Sequence, residues 1–239
     1  MKVKALTFNI QHGVDQHSDK GEINLDQIAD IIKDANADFV NLNEVYGAGS
    51  YPCNEDEMTA QYLARKAGYN YCFFAPAIKA NGKPYGNAFL SRFPVRFAEV
   101  IPIPDPIHKH EDVHYESRNI MKFILDTGEK PLTVFGSHFG VAKGEEENAV
   151  EMLGFLIKEE NNPLICMGDY NITPDSDIIA PLLSELKNTS PDNEPTFPSY
   201  APEIKIDYIL VSDSVEVLSG KPLKIIASDH YPYVAELEI

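Results

Sequence analysis

The 239-residue chain has no tryptophan, only three cysteines, and 20 lysines and arginines set against 37 aspartates and glutamates. Cys53, Cys72 and Cys166 are odd in number, far apart and without metal-ligand spacing. That argues against a disulfide scaffold and fits a reducing compartment. The shortage of basic residues leaves a net charge of -17 and no Lys/Arg cluster. Such a surface repels polyanions, so a protein that grips nucleic acid through backbone phosphates is disfavoured. No window is apolar enough to span a membrane, and Met1 to Asn9 lacks the apolar core of a signal peptide. These absences predict a cytoplasmic protein. Repeats, low-complexity tracts and linkers are missing too, which predicts one domain over residues 1–239.

What is present is a regular succession of elements. Val3 to Phe8 alternates apolar and polar residues and reads as a strand ending at Asn9. Leu25, Ile28, Ile31 and Ile32 follow at helical spacing, behind Asn24 as N-cap. Asp38 to Asn43 is a short apolar strand running into Glu44, and Met58, Tyr62 and Leu63 mark a second helix closed by Gly68. Strands are expected at Tyr69–Ala75, Asn87–Ser91 and Val95–Ile101, with turns at Asn81-Gly82 and Phe93-Pro94. Arg118–Leu125 and Leu132–His138 form a hairpin across Asp126-Thr127-Gly128. A helix over about 145–158 carries Glu145, Glu146 and Glu147 at its positive end. Further strands follow at Leu164–Gly168, Ile206–Val211, Ser214–Leu218 and Tyr233–Leu237. Many strands with few helices between them predict two sheets packed face to face, with helices outside.

The stretch Leu164-Ile165-Cys166-Met167-Gly168-Asp169-Tyr170-Asn171 carries the functional argument. Its apolar half suits a strand buried on both faces. Asp169 and Asn171, at i and i+2, leave that strand on the same side. Alone, the pair is commonly a turn. Other predicted strands also end or begin in polar residues: Asn9, Glu44, Ser137-His138, Asp207 and Ser228-Asp229-His230. Each taken singly is ordinarily a solvated strand end. Strand after strand contributing at the same kind of position points instead to a shared site.

Asn9, Asn43-Glu44, Gly86-Asn87-Ala88-Phe89-Leu90-Ser91-Arg92-Phe93-Pro94, Arg118, Ser137-His138-Phe139, Gly168-Asp169-Tyr170-Asn171, Asp207-Tyr208 and Ser228-Asp229-His230 occur in this order. From residue 3 to the C-terminus, this series resembles the endonuclease/exonuclease/phosphatase (DNase I-like) superfamily. Thr196-Phe197-Pro198-Ser199 is similar to the small bacterial members. The resemblance implies a four-layer α/β/β/α sandwich, two mixed β-sheets flanked by helices. It also implies a Mg²⁺-dependent hydrolase, with Mn²⁺ as the other candidate ion. Its metal residues would be Glu44, Asn9 and Asp229. Asp169 would orient and deprotonate the attacking water, Asn171 would bind a phosphate oxygen, and His138 and His230 would contact the others. Asp207 is the expected partner of His230. Arg118 matches a phosphate-contacting arginine, with a structural ion pair as the simpler reading.

Some nuclease features are missing. Residues 71–98 contain no Asp or Glu to pair with His138, which leaves Asn87 as the nearest polar candidate on the substrate side. Basic DNA-gripping loops and a tryptophan-bearing membrane hairpin are absent as well. Loop 102–116 holds His108, His110 and His114 and reads as a solvated loop, with a second metal or substrate site at the mouth, or a substrate lid, as the functional alternatives. Tyr46, Tyr51 and Tyr85 are candidates for stacking on a leaving group. The leading expectation is a phosphodiesterase or phosphatase for a small phosphorylated compound or lipid headgroup. A metal-dependent nuclease is the alternative, and a non-catalytic binding protein on the same scaffold is the reading from another class.

Overall fold

The computed structural model describes the chain except residues 19, 50–52, 54 and 55, so Tyr51 lies outside the described residues. The first half comprises β1 (Lys2–Asn9), α1 (Leu25–Ala35), β2 (Phe39–Tyr46), α2 (Thr59–Ala67), β3 (Tyr71–Ala80), β4 (Lys83–Ser91) and β5 (Val95–Pro102). There follow β6 (Asn119–Asp126), β7 (Pro131–His138), α3 (Lys143–Lys158), β8 (Leu164–Asp169), α4 (Ala180–Glu185), β9 (Lys187–Asn188), β10 (Asp207–Val211), β11 (Glu216–Pro222) and β12 (Tyr233–Glu238). Local chemistry sets several boundaries. The Asn24 side chain accepts from Gln27 N at the start of α1, and left-handed Gly68 closes α2. Asn81 and Gly82 both have positive φ, as a two-residue hairpin turn requires, so β3 and β4 extend right up to it. The short α4 and two-residue β9 carry too little periodic signal to be read from sequence.

Two six-stranded mixed sheets result, ordered β11-β12-β1-β2-β4-β3 and β5-β6-β7-β8-β10-β9. Three apolar interfaces hold four layers together. Phe8, Val40 and Leu42 on one face of the first sheet pack under Leu25, Ile28, Ile32 and Leu63 of α1 and α2. Ala5, Phe39 and Phe89 on its other face meet Phe123, Val134, Ile165 and Met167 of the second sheet. Phe135, Cys166 and Leu210 take the last interface, against Val150, Leu153 and Ile157 of α3. Strand β8 shows the logic: Ile165 and Met167 point inward and Leu164 and Cys166 toward α3, so an unbroken apolar run is required. This is the DNase I-like four-layer arrangement. Among the described residues no helix is long and apolar enough to cross a membrane.

Each sheet contains one parallel pair, β1 with β2 and β7 with β8, joined by the crossover helices α1 and α3. These pairs fix the position of the site, because both strands of each pair end at the same edge. Gly168 sits at the critical crossing. Its φ is 152°, and a Cβ there would run into the Ser137 carbonyl of β7. We expect Gly168→Ala to destabilise the fold by about 1–3 kcal/mol through backbone displacement, measured by reversible thermal or denaturant unfolding. An unchanged midpoint would show that β7 and β8 tolerate separation at this point.

Candidate active site

Strand register gathers the polar ends. Asn9 lies opposite Asn43 across β1 and β2, and Asp169 lies opposite both His138 and Asp207. Glu44 reaches this edge by a different device. Between Leu42↔Ala88 and Val45↔Gly86, Asn43 and Glu44 together face the single residue Asn87. This is a β-bulge, and Glu44 has φ 61° within it. The bulge turns Asn43 and Glu44 to different tasks. Buried Asn43 donates to Asn87 Oδ1 at 2.8 Å and the Ser137 carbonyl at 3.0 Å, and accepts from Asp169 N at 3.1 Å. It staples the two sheets directly behind the site. Glu44 is left facing the open edge.

Asp169 is the hub. Its Oδ2 accepts from Asn9 Nδ2 at 3.0 Å, and its Oδ1 from Asn171 N at 3.0 Å. His138 Nε2 and His230 Nε2 converge on the same Oδ2, at 3.4 and 3.6 Å. Burial raises the Asp169 pKa; the positive His230 opposes the rise, and the negative Asp207 adds to it. His230 Nδ1 is 2.9 Å from Asp207 Oδ2, the pairing expected from sequence. Burial by itself would lower the His230 pKa, but the charges of Asp207 and Asp169 and the Asp207 hydrogen bond carry it up to about 10. His230 is therefore an imidazolium at neutral pH. Phe197 packs its ring 4.7 Å from that of His230, which gives the Thr196–Ser199 segment its place.

His138 is held differently. Arg118 NH1 lies 3.2 Å from His138 Nδ1, and NH2 donates to Glu116 Oε2 at 2.6 Å. A guanidinium only donates, so Nδ1 accepts and the ring proton resides on Nε2, toward Asp169. Burial, then Arg118, then His230 hold the His138 pKa well below its usual value. His138 is thus a neutral N–H donor, not the imidazolium that a carboxylate neighbour would favour. Asn171, with φ 54°, donates from Nδ2 to the Phe139 carbonyl at 3.0 Å and lies 3.1 Å from His138 Nε2. The structure corrects the expectation for Asn87. It is 1% exposed, accepts from Asn43 and donates to Asn119 Oδ1 at 3.3 Å, so it belongs to the inter-sheet amide chain and not to the substrate side. Arg118, not Asn87, is the group set against His138, and its buried Nε–H has no partner among the described residues.

Comparison with known proteins gives the family. The Endonuclease/Exonuclease/phosphatase family model matches residues 6–230. The chain belongs to this family. It is accordingly a hydrolase of phosphoester bonds, from a family that depends on divalent metal. An endonuclease/exonuclease/phosphatase from Beutenbergia cavernae superposes with a TM-score of 0.81 at 23% identity, covering 100% of this chain and 72% of that one. A mannosyl-6-phosphatase from Bacteroides thetaiotaomicron gives 0.75 at 18% identity, with 99% and 100% covered. The human Nocturnin catalytic domain with bound sulfate gives 0.71 at 18% identity, with 99% and 94% covered. At these identities the likeness is one of fold. No curated protein matches in sequence.

Two groups of residues in this family member compete as the metal centre. Ligand atoms of Asp169, Asp207 and His230 lie within 4.8 Å of one another. That trio is already charge-paired, and an imidazolium has no lone pair to offer a metal. Glu44 and Asp229 fit better. Asp229 is pushed up by burial and by the negative charge of Glu44, against the opposing pull of His230. Among the described residues neither carboxylate has a lysine or arginine ion pair. Two mutually repelling carboxylates with no lysine or arginine partner among the described residues, offering only oxygen, suit a hard divalent ion. Asn9 spends its amide elsewhere: Nδ2 donates to Glu44 Oε1 at 3.0 Å as well as to Asp169, and Oδ1 accepts from Gln11 N at 3.1 Å. It holds the metal side and the Asp169 side in one frame.

Three further side chains border the site; sequence reading offers Tyr85 only as a stacking ring and gives no role to His12 or Lys205. Tyr85 donates to Glu44 Oε2 at 2.8 Å, as a buttress. His12 lies close enough to feel the charges of Glu44 and Asp229, although burial lowers its pKa overall. Lys205 is buried, lies over the rings of Tyr208 and Tyr233 at 4.5 and 4.4 Å, and donates to the Asp207 carbonyl at 2.7 Å. Burial brings its pKa down to about 8. Its i, i+2 relation to Asp207 was the available signal. The histidines of loop 102–116 are exposed and join no three-ligand cluster among the described residues. The loop is tied down at its foot, where Ser117 Oγ donates to Asp105 and Glu116 N donates to Glu145.

Proposed function

We propose that this protein hydrolyses a small phosphorylated compound or lipid headgroup with Mg²⁺, by direct attack of an activated water on phosphorus. The observation that carries the reading is the convergence on Asp169 Oδ2 of one imidazolium, one neutral imidazole N–H and the Asn9 amide. A carboxylate of raised pKa is a competent proton acceptor near neutrality, whereas an ordinary one is a poor base. Asp169 takes the proton of the water. His230 and His138 donate from Nε2 to phosphoryl oxygens as charge grows, one as a cation and one as a dipole. Asp207 keeps His230 protonated and fixes its ring. Asn171 supplies a further donor to the phosphate, and Arg118, whose NH1 donates to His138 Nδ1, sets the orientation and tautomer of His138. Glu44 and Asp229 hold the divalent ion, which when bound neutralises charge on the phosphoryl oxygens. Oxygen-only donors favour Mg²⁺, with Mn²⁺ the substitute.

A net charge of -17 supports a small substrate over nucleic acid. The mannosyl-6-phosphatase and the sulfate-bound Nocturnin domain support it further, as proteins of this fold named for a small sugar phosphate and a tetrahedral anion. The test is a panel with Mg²⁺, comparing phosphomonoesters, a simple diester, choline and inositol lipids, and nicked, abasic and single-stranded DNA. We expect turnover of small phosphoesters and little of DNA. Rapid DNA cleavage with no small-molecule turnover would instead establish a nuclease.

A further inference from the structure

Beside Glu44 stands a group of rings that proton transfer and phosphate binding do not use. His12 and Tyr46 have ring centroids 5.2 Å apart at 65°, and Tyr46 and Tyr85 lie 4.8 Å apart at 60°. All three are half-buried. The group is fastened to the site through the Tyr85–Glu44 hydrogen bond. Because the Tyr85 hydroxyl spends its hydrogen on Glu44, its oxygen accepts from His12 Nδ1, 3.4 Å away. That leaves His12 Nε2 as an acceptor with no protein partner among the described residues. Tyr46 is complementary: its oxygen accepts from Asn81 Nδ2 at 3.0 Å, and its hydroxyl hydrogen has no acceptor among the described residues.

The backbone that presents His12 is strained. Gln11 and His12 have φ of 42° and 45°, consecutive left-handed conformations at non-glycine residues. Such strain persists only where surrounding bonds enforce it. Here Gln11 N donates to Asn9 Oδ1, Gln16 Nε2 donates to Gln11 Oε1 at 2.6 Å, and Asn24 N donates to the Gly13 carbonyl at 2.8 Å. The first of these bonds joins the strained turn to the same asparagine that bridges Glu44 and Asp169.

We infer that His12, Tyr46 and Tyr85 form the surface that recognises the alcohol half of the substrate, and that this half is a hydroxylated ring, making the substrate a sugar phosphate. The inference rests on the phosphohydrolase reading for the position of the phosphate. A sugar ring offers C–H faces to aromatic rings and hydroxyls to one free acceptor and one free donor. A planar base would need a parallel stacking face, and rings tilted by 60° and 65° do not sandwich one.

The test uses the full chain carrying Asp169→Asn, with binding of glucose 6-phosphate and glycerol 3-phosphate measured by titration calorimetry in Mg²⁺. Adding Tyr46→Phe, which keeps the ring, or His12→Ala should weaken glucose 6-phosphate about tenfold, the equivalent of one lost hydrogen bond, and glycerol 3-phosphate less than about twofold. Equal weakening of both ligands, no weakening of either, or no binding of the sugar phosphate would overturn the inference. Parallel hydrolysis by the unmodified protein separates the two ideas. Sugar phosphate bound with this selectivity but never hydrolysed would sink the phosphohydrolase reading alone. Hydrolysis without selectivity would sink the inference alone.

Discussion

Asp169→Asn is expected to lower kcat on any phosphoester substrate by about 10²–10⁴-fold while the protein stays folded. The chemistry requires an ionisable oxygen at the point where Asn9, His138 and His230 meet, and an amide cannot take a proton from water. The fold should tolerate the change. The substitution removes a buried charge whose desolvation raises its own pKa, and it keeps the size of the side chain. Against that gain stand the Asn9 hydrogen bond to Oδ2, worth about 1 kcal/mol, and the lost attraction to the His230 imidazolium. Gain and losses offset, so the unfolding midpoint should move little. Folded Asp169→Asn protein with near-normal turnover would remove Asp169 from the base role.

The second large effect concerns His230 and has a pH signature. Asp207→Asn should reduce kcat/KM by about 10²–10³-fold, the range for losing one preorganised charge-stabilising donor. It should also shift the alkaline limb. In the native protein His230 is held up to about 10 against its ordinary 6.5, so it stays charged through neutrality and activity declines only on the alkaline side. Without the Asp207 charge and hydrogen bond, less opposes burial and the limb moves down in pH. The stability consequence has the same origin. A raised histidine pKa contributes stability that is full below pH 6.5 and is lost as pH rises through about 10. Native protein should therefore lose this stability over that window, and Asp207→Asn should show a smaller slope. A pH–rate profile whose alkaline limb is the same in both proteins would contradict the pairing as the source of the charge.

The parts of this site legible in sequence are those written along single strands. Asp169 and Asn171 at i, i+2, the Asn9 and Asp207 strand ends, and Asp229-His230 before the last strand all announce themselves by position. So do the Asn24 cap and the Gly68 stop. What could not be read depends on pairing between strands. The bulge at Asn43-Glu44 places two residues opposite Asn87, and this turns Asn87 into the inter-sheet chain, where sequence reasoning had assigned it to substrate. The neutral state of His138 follows from Arg118, twenty residues away and brought alongside by the β6–β7 hairpin. His12 gave no signal, since its role comes from a strained turn that folds it against Tyr46 and Tyr85. Grooves of about 690 and 680 Å³ that flank α3 contain none of these residues.

If Glu44 and Asp229 hold a divalent ion at the edge where Asp169 acts, phosphate release from a small phosphoester should depend on it. After stripping with EDTA, Mg²⁺ is titrated into native and Glu44→Gln protein. We expect no turnover in EDTA, full recovery with Mg²⁺ in the native protein, and a Mg²⁺ requirement raised at least about tenfold in Glu44→Gln. Turnover that persists in EDTA, or a Glu44→Gln curve that overlays the native one, would contradict this assignment.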